Sequence, residues 1–107
     1  MQLFQTEWCP ASRRIRQRLT ELGIDYVNRQ VPVDRGERVE LLHAAGAETI
    51  PVLILDDGRP LVGGDRILAY LDARYGDPDE AEAHRSRAAI MRRRFLDEEC
   101  GCAPRGE

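Results

Sequence analysis

Residues 49–64 read TIPVLILDDGRPLVGG, and this stretch predicts an antiparallel hairpin. Residues 52–55 form an uninterrupted apolar strand, and residues 59–62 return after the turn Asp57-Gly58. An Asp-Gly pair between two apolar runs is a strong local signal for a tight hairpin turn. The hairpin therefore supplies two strands of the expected sheet.

A helix is expected directly after the hairpin. The residues Gly63-Gly64-Asp65 open it, and Asp65 is predicted to cap its N-terminus. Gly76 is expected to end it. Its buried face is predicted to consist of Ile67, Leu68 and Leu71.

The chain before the hairpin has a strand–helix–strand pattern. Residues 1–5 are a short apolar strand, a helix begins at Pro10 and ends at Gly23, and residues 24–30 alternate as a second strand. The helix has apolar residues at helical spacing, namely Ile15, Leu19 and Leu22. Such a unit predicts a parallel pair of strands.

A shorter helix is expected at residues 37–45. Its apolar face is predicted to contain Val39, Leu42 and Ala45. Arg35 and Arg38 could each meet a carboxylate of a ligand, but surface arginines are common and a solvated role is the expectation.

The last helix is expected at residues 77–99, with an apolar stripe of His84, Ala88, Met91 and Phe95. This stripe should cover one face of the sheet or a neighbouring subunit. Residues 1–76 then form the core, and residues 77–107 add a helix and a cysteine-containing tail within the same domain. The order of elements predicts an α/β fold with a four-stranded mixed sheet, flanking helices and this additional C-terminal helix.

The composition is typical of one globular domain. The chain has 107 residues, of which 42% are hydrophobic and 33% charged, and its net charge is −3. It contains no secretory signal and no apolar run long enough for a membrane, so we expect a cytoplasmic protein without a membrane partner. In that compartment three cysteines favour catalysis, redox or metal chemistry over structural disulfides. Acidic residues follow the basic run at 92–94, which argues against nucleic acid as a partner.

Residues 6–12, TEWCPAS, place Cys9 at the start of the first helix, just before Pro10. A thiolate attacks disulfides and a thiol does not, and a helix N-terminus favours the anion. Arg13 and Arg14, one turn further, could add positive charge. Ser12 stands where a two-cysteine redox motif has its second cysteine; it can donate a hydrogen bond to the thiolate but cannot form a disulfide. We therefore expect Cys9 and Ser12 to be the catalytic residues.

Three motifs in order carry a resemblance to known proteins, namely Cys9-Pro10, Thr49-Ile50-Pro51 and Gly63-Gly64. Together they resemble the glutaredoxins of the thioredoxin superfamily. They are also similar to the N-terminal domain of glutathione S-transferases, in which a pair like Tyr70-Leu71 lies in the following helix. The resemblance covers residues 1–76 and implies the thioredoxin fold.

The resemblance implies a thiol–disulfide oxidoreductase whose co-substrate is glutathione or another low-molecular-weight thiol. Cys9 would act by a monothiol mechanism, in which one small thiol forms a mixed disulfide on Cys9 and a second releases it. The substrates would be protein or small-molecule disulfides. A cis Ile50–Pro51 bond would turn the Ile50 backbone toward the bound thiol. The residues expected to bind this ligand are Trp8, Pro10, Arg13, Thr49, Ile50, Pro51, Gly64 and Asp65.

Other interpretations stay open. Cys100 or Cys102 in the tail could resolve the mixed disulfide in place of a second small thiol. The chain could instead be a non-catalytic module that binds a thiol or a partner, or an iron–sulfur cluster carrier, although Pro10 counts against the carrier. His43 and His84 lack metal-ligand spacing with the cysteines, so no metal is expected. The oligomeric state is not predicted.

Overall fold

The computed structural model describes residues 1–76 and 78–100. Its strands are β1 (Gln2–Gln5), β2 (Val27–Gln30), β3 (Val52–Ile54) and β4 (Pro60–Val62). Its α-helices are α1 (Pro10–Glu21), α2 (Val39–Ala45), α3 (Gly64–Tyr75) and α4 (Pro78–Phe95). A short 3-10 helix at Arg35–Glu37 precedes α2, and a π-helical segment, Leu96–Cys100, follows α4.

The four strands form one mixed sheet in the order β2-β1-β3-β4. Strand β1 is parallel to β2 and antiparallel to β3, which pairs with β4 as the predicted hairpin. The turn glycine Gly58 has a positive φ of 88°, a conformation that glycine adopts without steric cost. The prediction of an α/β fold with a four-stranded mixed sheet is therefore confirmed.

Two apolar layers cover the two faces of the sheet, because successive side chains of a strand point to opposite faces. Leu3 and Leu53 are paired across β1 and β3 and pack with α1 and α3. The helices contribute Ile15, Leu19, Ile67 and Leu71 to this layer. Phe4 and Val52 point to the other face, where they pack with Leu41 of α2. The sheet thus fixes the position of α1, whose N-terminus carries Cys9.

Helix α2 buries a different residue from those that the sequence predicts. Leu41 is enclosed, whereas Val39 and Leu42 are exposed, so the predicted apolar face is wrong at these two positions. Ala45, the third residue of that face, is half-buried and packs against the core with Leu41. The helix begins at Val39, two residues later than expected. Successive residues of a helix are rotated by about 100°, so Leu42 points away from the sheet when its neighbour Leu41 is buried against it.

Helix α3 begins earlier than its predicted cap. Gly63 occupies the N-cap position with a φ of 99°, and no side chain caps the helix. The Gly63 N–H donates to the Pro51 carbonyl at 3.0 Å, and the Gly63 carbonyl accepts the Ile67 N–H at 3.1 Å. The role of Asp65 as N-cap was therefore a wrong prediction, and Asp65 lies exposed in the first turn. Gly76 follows the end of α3, as predicted.

Strand β2 is shorter than the predicted strand at residues 24–30. Gly23 ends α1 with a positive φ of 69°, and the Ile24 N–H still bonds to the Leu19 carbonyl at 3.0 Å. This bond keeps residues 24–26 on the end of the helix instead of in the sheet. Ile24 and Tyr26 nevertheless pack against the core.

Apart from the segment Leu96–Cys100 that follows it, helix α4 packs mainly against α1 within the described chain. The expectation that it covers a face of the sheet is wrong, whereas contact with a neighbouring subunit stays a prediction. Met91 and Phe95 of the predicted stripe are exposed. Of the described helices, none has both the length and the apolar character needed to cross a membrane.

Candidate active site around Cys9

Cys9 is the N-cap residue of α1, and Pro10 is the first helical residue. The Cys9 backbone is extended, with φ −80° and ψ 115°, and its carbonyl accepts the Arg13 N–H at 3.0 Å. Its half-buried sulfur accepts a hydrogen bond from the Ser12 N–H at 3.4 Å. The first turn of a helix has N–H groups without helical partners, and here the thiol occupies the position of the capping acceptor.

The environment lowers the pKa of the Cys9 thiol. Burial is the largest single influence and works in the opposite direction, because it disfavours the charged form. It is outweighed by the Ser12 side chain, by the N–H groups of Ser12 and Ala11, and by the charge of Arg16. A larger fraction of Cys9 is therefore thiolate at neutral pH than in an unfolded chain.

Ser12 is fully buried beside the sulfur. Its hydroxyl oxygen makes no hydrogen bond of normal geometry within the described residues. It is nevertheless close enough to Cys9 to be the strongest of the influences that lower the thiol pKa. These two observations agree if the hydroxyl turns to the sulfur when the thiolate forms, because a hydroxyl proton rotates freely and an anion is the better acceptor.

The positive charge that acts on Cys9 comes from Arg16. The sequence suggested Arg13 and Arg14, but both are exposed and Arg16 is the cation that lowers the thiol pKa. Arg16 follows Cys9 by seven residues, which is two helical turns and hence the same helix face. This seven-residue spacing could have identified Arg16 from the sequence as the cation nearest the thiol.

A second segment of the chain reaches the site through Pro51. The Ile50–Pro51 peptide bond is cis, as the family resemblance implied, and Pro51 is buried. A methyl group added at Gly64 would lie 3.5 Å from the Cβ of Ala11 and 3.9 Å from the Cγ of Pro51. The N-termini of α1 and α3 and the cis proline therefore meet at one point.

The main-chain N–H and carbonyl of Ile50 make no backbone hydrogen bond within the described residues. Thr49 before it is exposed, and so is Asp65 in the first turn of α3. Trp8, next to Cys9, leaves 72% of its surface exposed. The ligand-binding roles predicted for these residues remain predictions.

Arg38 is another residue whose role differs from the sequence prediction. It is buried, not solvated, and binds three main-chain carbonyls. Its guanidinium donates to Pro32 at 2.8 Å, Val33 at 3.1 Å and Glu48 at 2.7 Å. Because Glu48 directly precedes Thr49, Arg38 fixes the approach of the chain to the cis proline.

Cys102 lies outside the described residues, and so does the side chain of Cys100. Their predicted role as resolving thiols stays a prediction. Among the described side chains, no three or more of His, Cys, Asp and Glu form a group that could hold a metal ion.

Comparison with known protein families identifies the family to which the chain is similar. The family "Glutathione S-transferase, N-terminal domain" matches residues 3–79, which is more than half of the chain. Comparison with curated proteins found no match.

Several solved glutathione S-transferase structures are similar. A domain-containing protein from Marinobacter aquaeolei VT8 is 28% identical with a TM-score of 0.61, over 91% of this chain and 51% of that one. A rice enzyme in complex with glutathione is 27% identical with a TM-score of 0.61, over 85% and 43%. A diazinon-metabolizing enzyme from the silkworm Bombyx mori is 27% identical with a TM-score of 0.63, over 89% and 48%.

The chain spans about half the length of these solved structures. The matched family covers β1 to α3, which are the elements that build the Cys9 site. The chain belongs to the glutathione S-transferase N-terminal domain family and has its thioredoxin-like fold.

Proposed function

We propose that this chain is a glutaredoxin-like thiol–disulfide oxidoreductase that reduces mixed disulfides of glutathione, or of another low-molecular-weight thiol, through Cys9. The observation that carries the proposal is the position of the Cys9 sulfur. It caps α1, accepts the Ser12 N–H and has a lowered pKa. These features favour the nucleophilic thiolate form of Cys9 over the thiol.

The main chain at Ile50 supports binding of a peptide-like thiol. A cysteinyl unit of glutathione could pair with the Ile50 N–H and carbonyl as an added strand does. Gly64 packs beside Ala11 and Pro51 at the same point of the site, and Asp65, next to it, would accept a hydrogen bond from the amino group of the ligand. The rice relative was solved with glutathione, which agrees with this choice of ligand.

The monothiol cycle needs two exchanges. In the first, the Cys9 thiolate attacks the glutathione sulfur of R–S–S–G; the old disulfide breaks, Cys9–S–S–G forms, and RS⁻ leaves and takes a proton from water. In the second, the thiolate of free glutathione attacks the glutathione sulfur held by Cys9. Glutathione disulfide leaves, and Cys9 returns as thiolate. The net reaction converts R–S–S–G and one glutathione into RSH and glutathione disulfide.

Substitution of Cys9 tests the proposal. Cys9→Ser should abolish reduction of a glutathione mixed disulfide, whereas Cys100→Ser/Cys102→Ser should retain it. Mass spectrometry after incubation with glutathione disulfide should find the adduct on Cys9. Full activity of Cys9→Ser would contradict the mechanism, and a disulfide from Cys9 to Cys100 or Cys102 would replace the monothiol cycle with resolution by the tail.

A second candidate is a module that binds a thiol without turnover. The Ile50 main chain favours it, because strand-like binding needs no reaction at Cys9. Calorimetry with glutathione measures binding, which Cys9→Ser should retain in either case, so turnover by the wild-type protein is what separates the two. Binding by the wild-type protein without turnover would favour the module. The oxidoreductase needs a supply of reduced small thiol, which is why a cytoplasmic location stays part of the leading proposal.

A further inference from the structure

A polar cluster lies beside the Cys9 site and consists of the buried Gln5, the half-buried Arg16 and the exposed Glu7 and Asn28. The Gln5 side chain is fully enclosed at the end of β1. Its amide nitrogen donates to Asn28 at 2.7 Å and to Glu7 at 3.2 Å, and its oxygen accepts a hydrogen bond from Arg16. Because both acceptors face the nitrogen, the amide oxygen is committed to Arg16.

Arg16 connects this cluster to the reacting thiol. Its guanidinium donates to the Thr6 carbonyl at 3.2 Å, and the same carbonyl accepts the Cys9 N–H at 3.3 Å. Arg16 therefore holds the turn from which Cys9 enters α1. Only 18% of its side chain is exposed, so its charge is less screened by water than that of Arg13.

Glu7 has the opposite effect on this charge. Its carboxylate lies 3.5 Å from the Arg16 guanidinium, and 56% of the Glu7 side chain is exposed. A carboxylate at this distance reduces the positive potential that Arg16 produces at Cys9.

We propose that Gln5, Glu7 and Arg16 set the reactivity of Cys9: Gln5 holds the guanidinium in place, and Glu7 offsets its charge. All three are positioning residues for the thiol. The inference rests on the proposed function in taking Cys9 as the reacting group. It predicts that removing the charge of Arg16 raises the pKa of Cys9 and that removing the charge of Glu7 lowers it.

Other charged groups face this cluster from neighbouring elements. The charges of Arg16 and Glu7 both act on the hydroxyl of Tyr26, which precedes β2. This hydroxyl stays neutral at physiological pH because burial raises its pKa. Arg85 and Arg92 of α4 line the same groove as Arg16. Arg13 and Arg14 of α1 and Asp65 of α3 are exposed to solvent. Glu7 is the only carboxylate among the described residues that pairs with Arg16.

The test measures the alkylation rate of Cys9 by iodoacetamide against pH, in a Cys100→Ser/Cys102→Ser background where Cys9 is the sole thiol. Arg16→Gln should move the midpoint to higher pH and Glu7→Gln to lower pH. Each shift should be about half a pH unit, or about a threefold change in rate at neutral pH. Gln5→Met should shift the midpoint in the same direction as Arg16→Gln.

The second ion pair of α1 supplies matched controls. Arg18 and Glu21 are paired at 3.3 Å at the other end of the helix, so Arg18→Gln and Glu21→Gln should leave the midpoint unchanged. Glu7→Gln in the Arg16→Gln background should still move the midpoint to lower pH, because the field of the carboxylate adds to that of the guanidinium and acts on the thiolate without it. No difference between Glu7→Gln and Glu21→Gln, or a shift of Glu7→Gln and Arg16→Gln in the same direction, would overturn the inference.

The comparison of Glu7→Gln with Glu21→Gln decides the question even if Arg16→Gln fails to fold, because both glutamates lie near the surface. The experiment requires no disulfide reduction. Opposite shifts without turnover would therefore contradict the proposed function and support this inference, and turnover without the shifts would do the reverse.

Discussion

Helices α1 and α4 both carry several arginines, but they use them differently. In α1, Arg16 binds Gln5 and Thr6, and Arg18 binds Asp72 of α3 at 2.8 Å. In α4, Arg93 and Arg94 pair with Asp97 and Glu98, four residues further along the chain. Arg16 and Arg18 of α1 therefore join segments that are distant in sequence, although Arg18 also pairs locally with Glu21, whereas these pairs of α4 are local only.

This difference teaches that the surroundings of an arginine, not its presence in a basic run, decide what it does. Exposed pairs four residues apart add little stability, because solvent screens them and the side chains lose entropy. Half-buried arginines with several acceptors contribute more, and their removal leaves carbonyls unsatisfied. Stability and reactivity should therefore depend on the α1 side of the molecule and tolerate changes in α4.

The largest contrast should come from the apolar core. Leu19→Ala in α1 should lower the free energy of unfolding by about 2–5 kcal/mol, because Leu19 is fully buried and its loss leaves a cavity. Ile90→Ala in α4 should change it by less than about 1 kcal/mol, because 67% of Ile90 is exposed. Urea denaturation measures both. Equal losses would show that α4 is as much part of the core as α1.

The next contrast compares two arginines. Arg38→Met should cost about 2–3 kcal/mol, because three carbonyls lose a charged donor. Arg94→Met should cost less than about 0.5 kcal/mol, since Arg94 is 64% exposed and has only its local pair. Because Arg38 holds Glu48 before the cis proline, Arg38→Met should also raise KM for glutathione more than it lowers kcat. An unchanged KM would show that Arg38 contributes to stability but not to the binding of glutathione.

The smallest effect concerns one hydroxyl. Ser12→Ala should raise the pKa of Cys9 and reduce its alkylation rate at neutral pH by about twofold to threefold. Stability should hardly change, because the buried hydroxyl has no partner of normal geometry in the described chain. Thr20→Ala, which removes a hydroxyl near the other end of α1, is the control. Identical pH profiles for Ser12→Ala and wild type would show that the N–H groups and Arg16 are sufficient.

Local sequence patterns predicted the strands, the hairpin and the start of α1, because Gly23, Asp57-Gly58 and Pro10 act through their own backbone preferences. The predictions for the N-cap of α3 and for Arg38 were wrong because both depend on contacts between residues that are distant in sequence. Gly63 replaced Asp65 at the start of α3 because its N–H finds the Pro51 carbonyl. Arg38 is buried because carbonyls on both sides of α2 converge on it.

The same limit applies to the site. Cys9 stood out because it precedes Pro10 at a helix start, a local feature. Gln5 gave no signal, because its partners Arg16 and Asn28 come from other elements. Polar residues at the end of a buried strand are ambiguous until the neighbouring elements are known.

The capping of α1 by a thiol couples ionisation to folding. A helix of 12 residues is too short to be stable alone in water, so the N–H groups around the sulfur are in place only when the sheet and α3 support α1. Cys9 of an unfolded chain is then an ordinary thiol with a higher pKa. Because folding lowers this pKa, the thiolate stabilises the native state in return. That stabilisation is fully present above the pKa of the unfolded thiol and disappears as the pH falls through the lower pKa of the folded one.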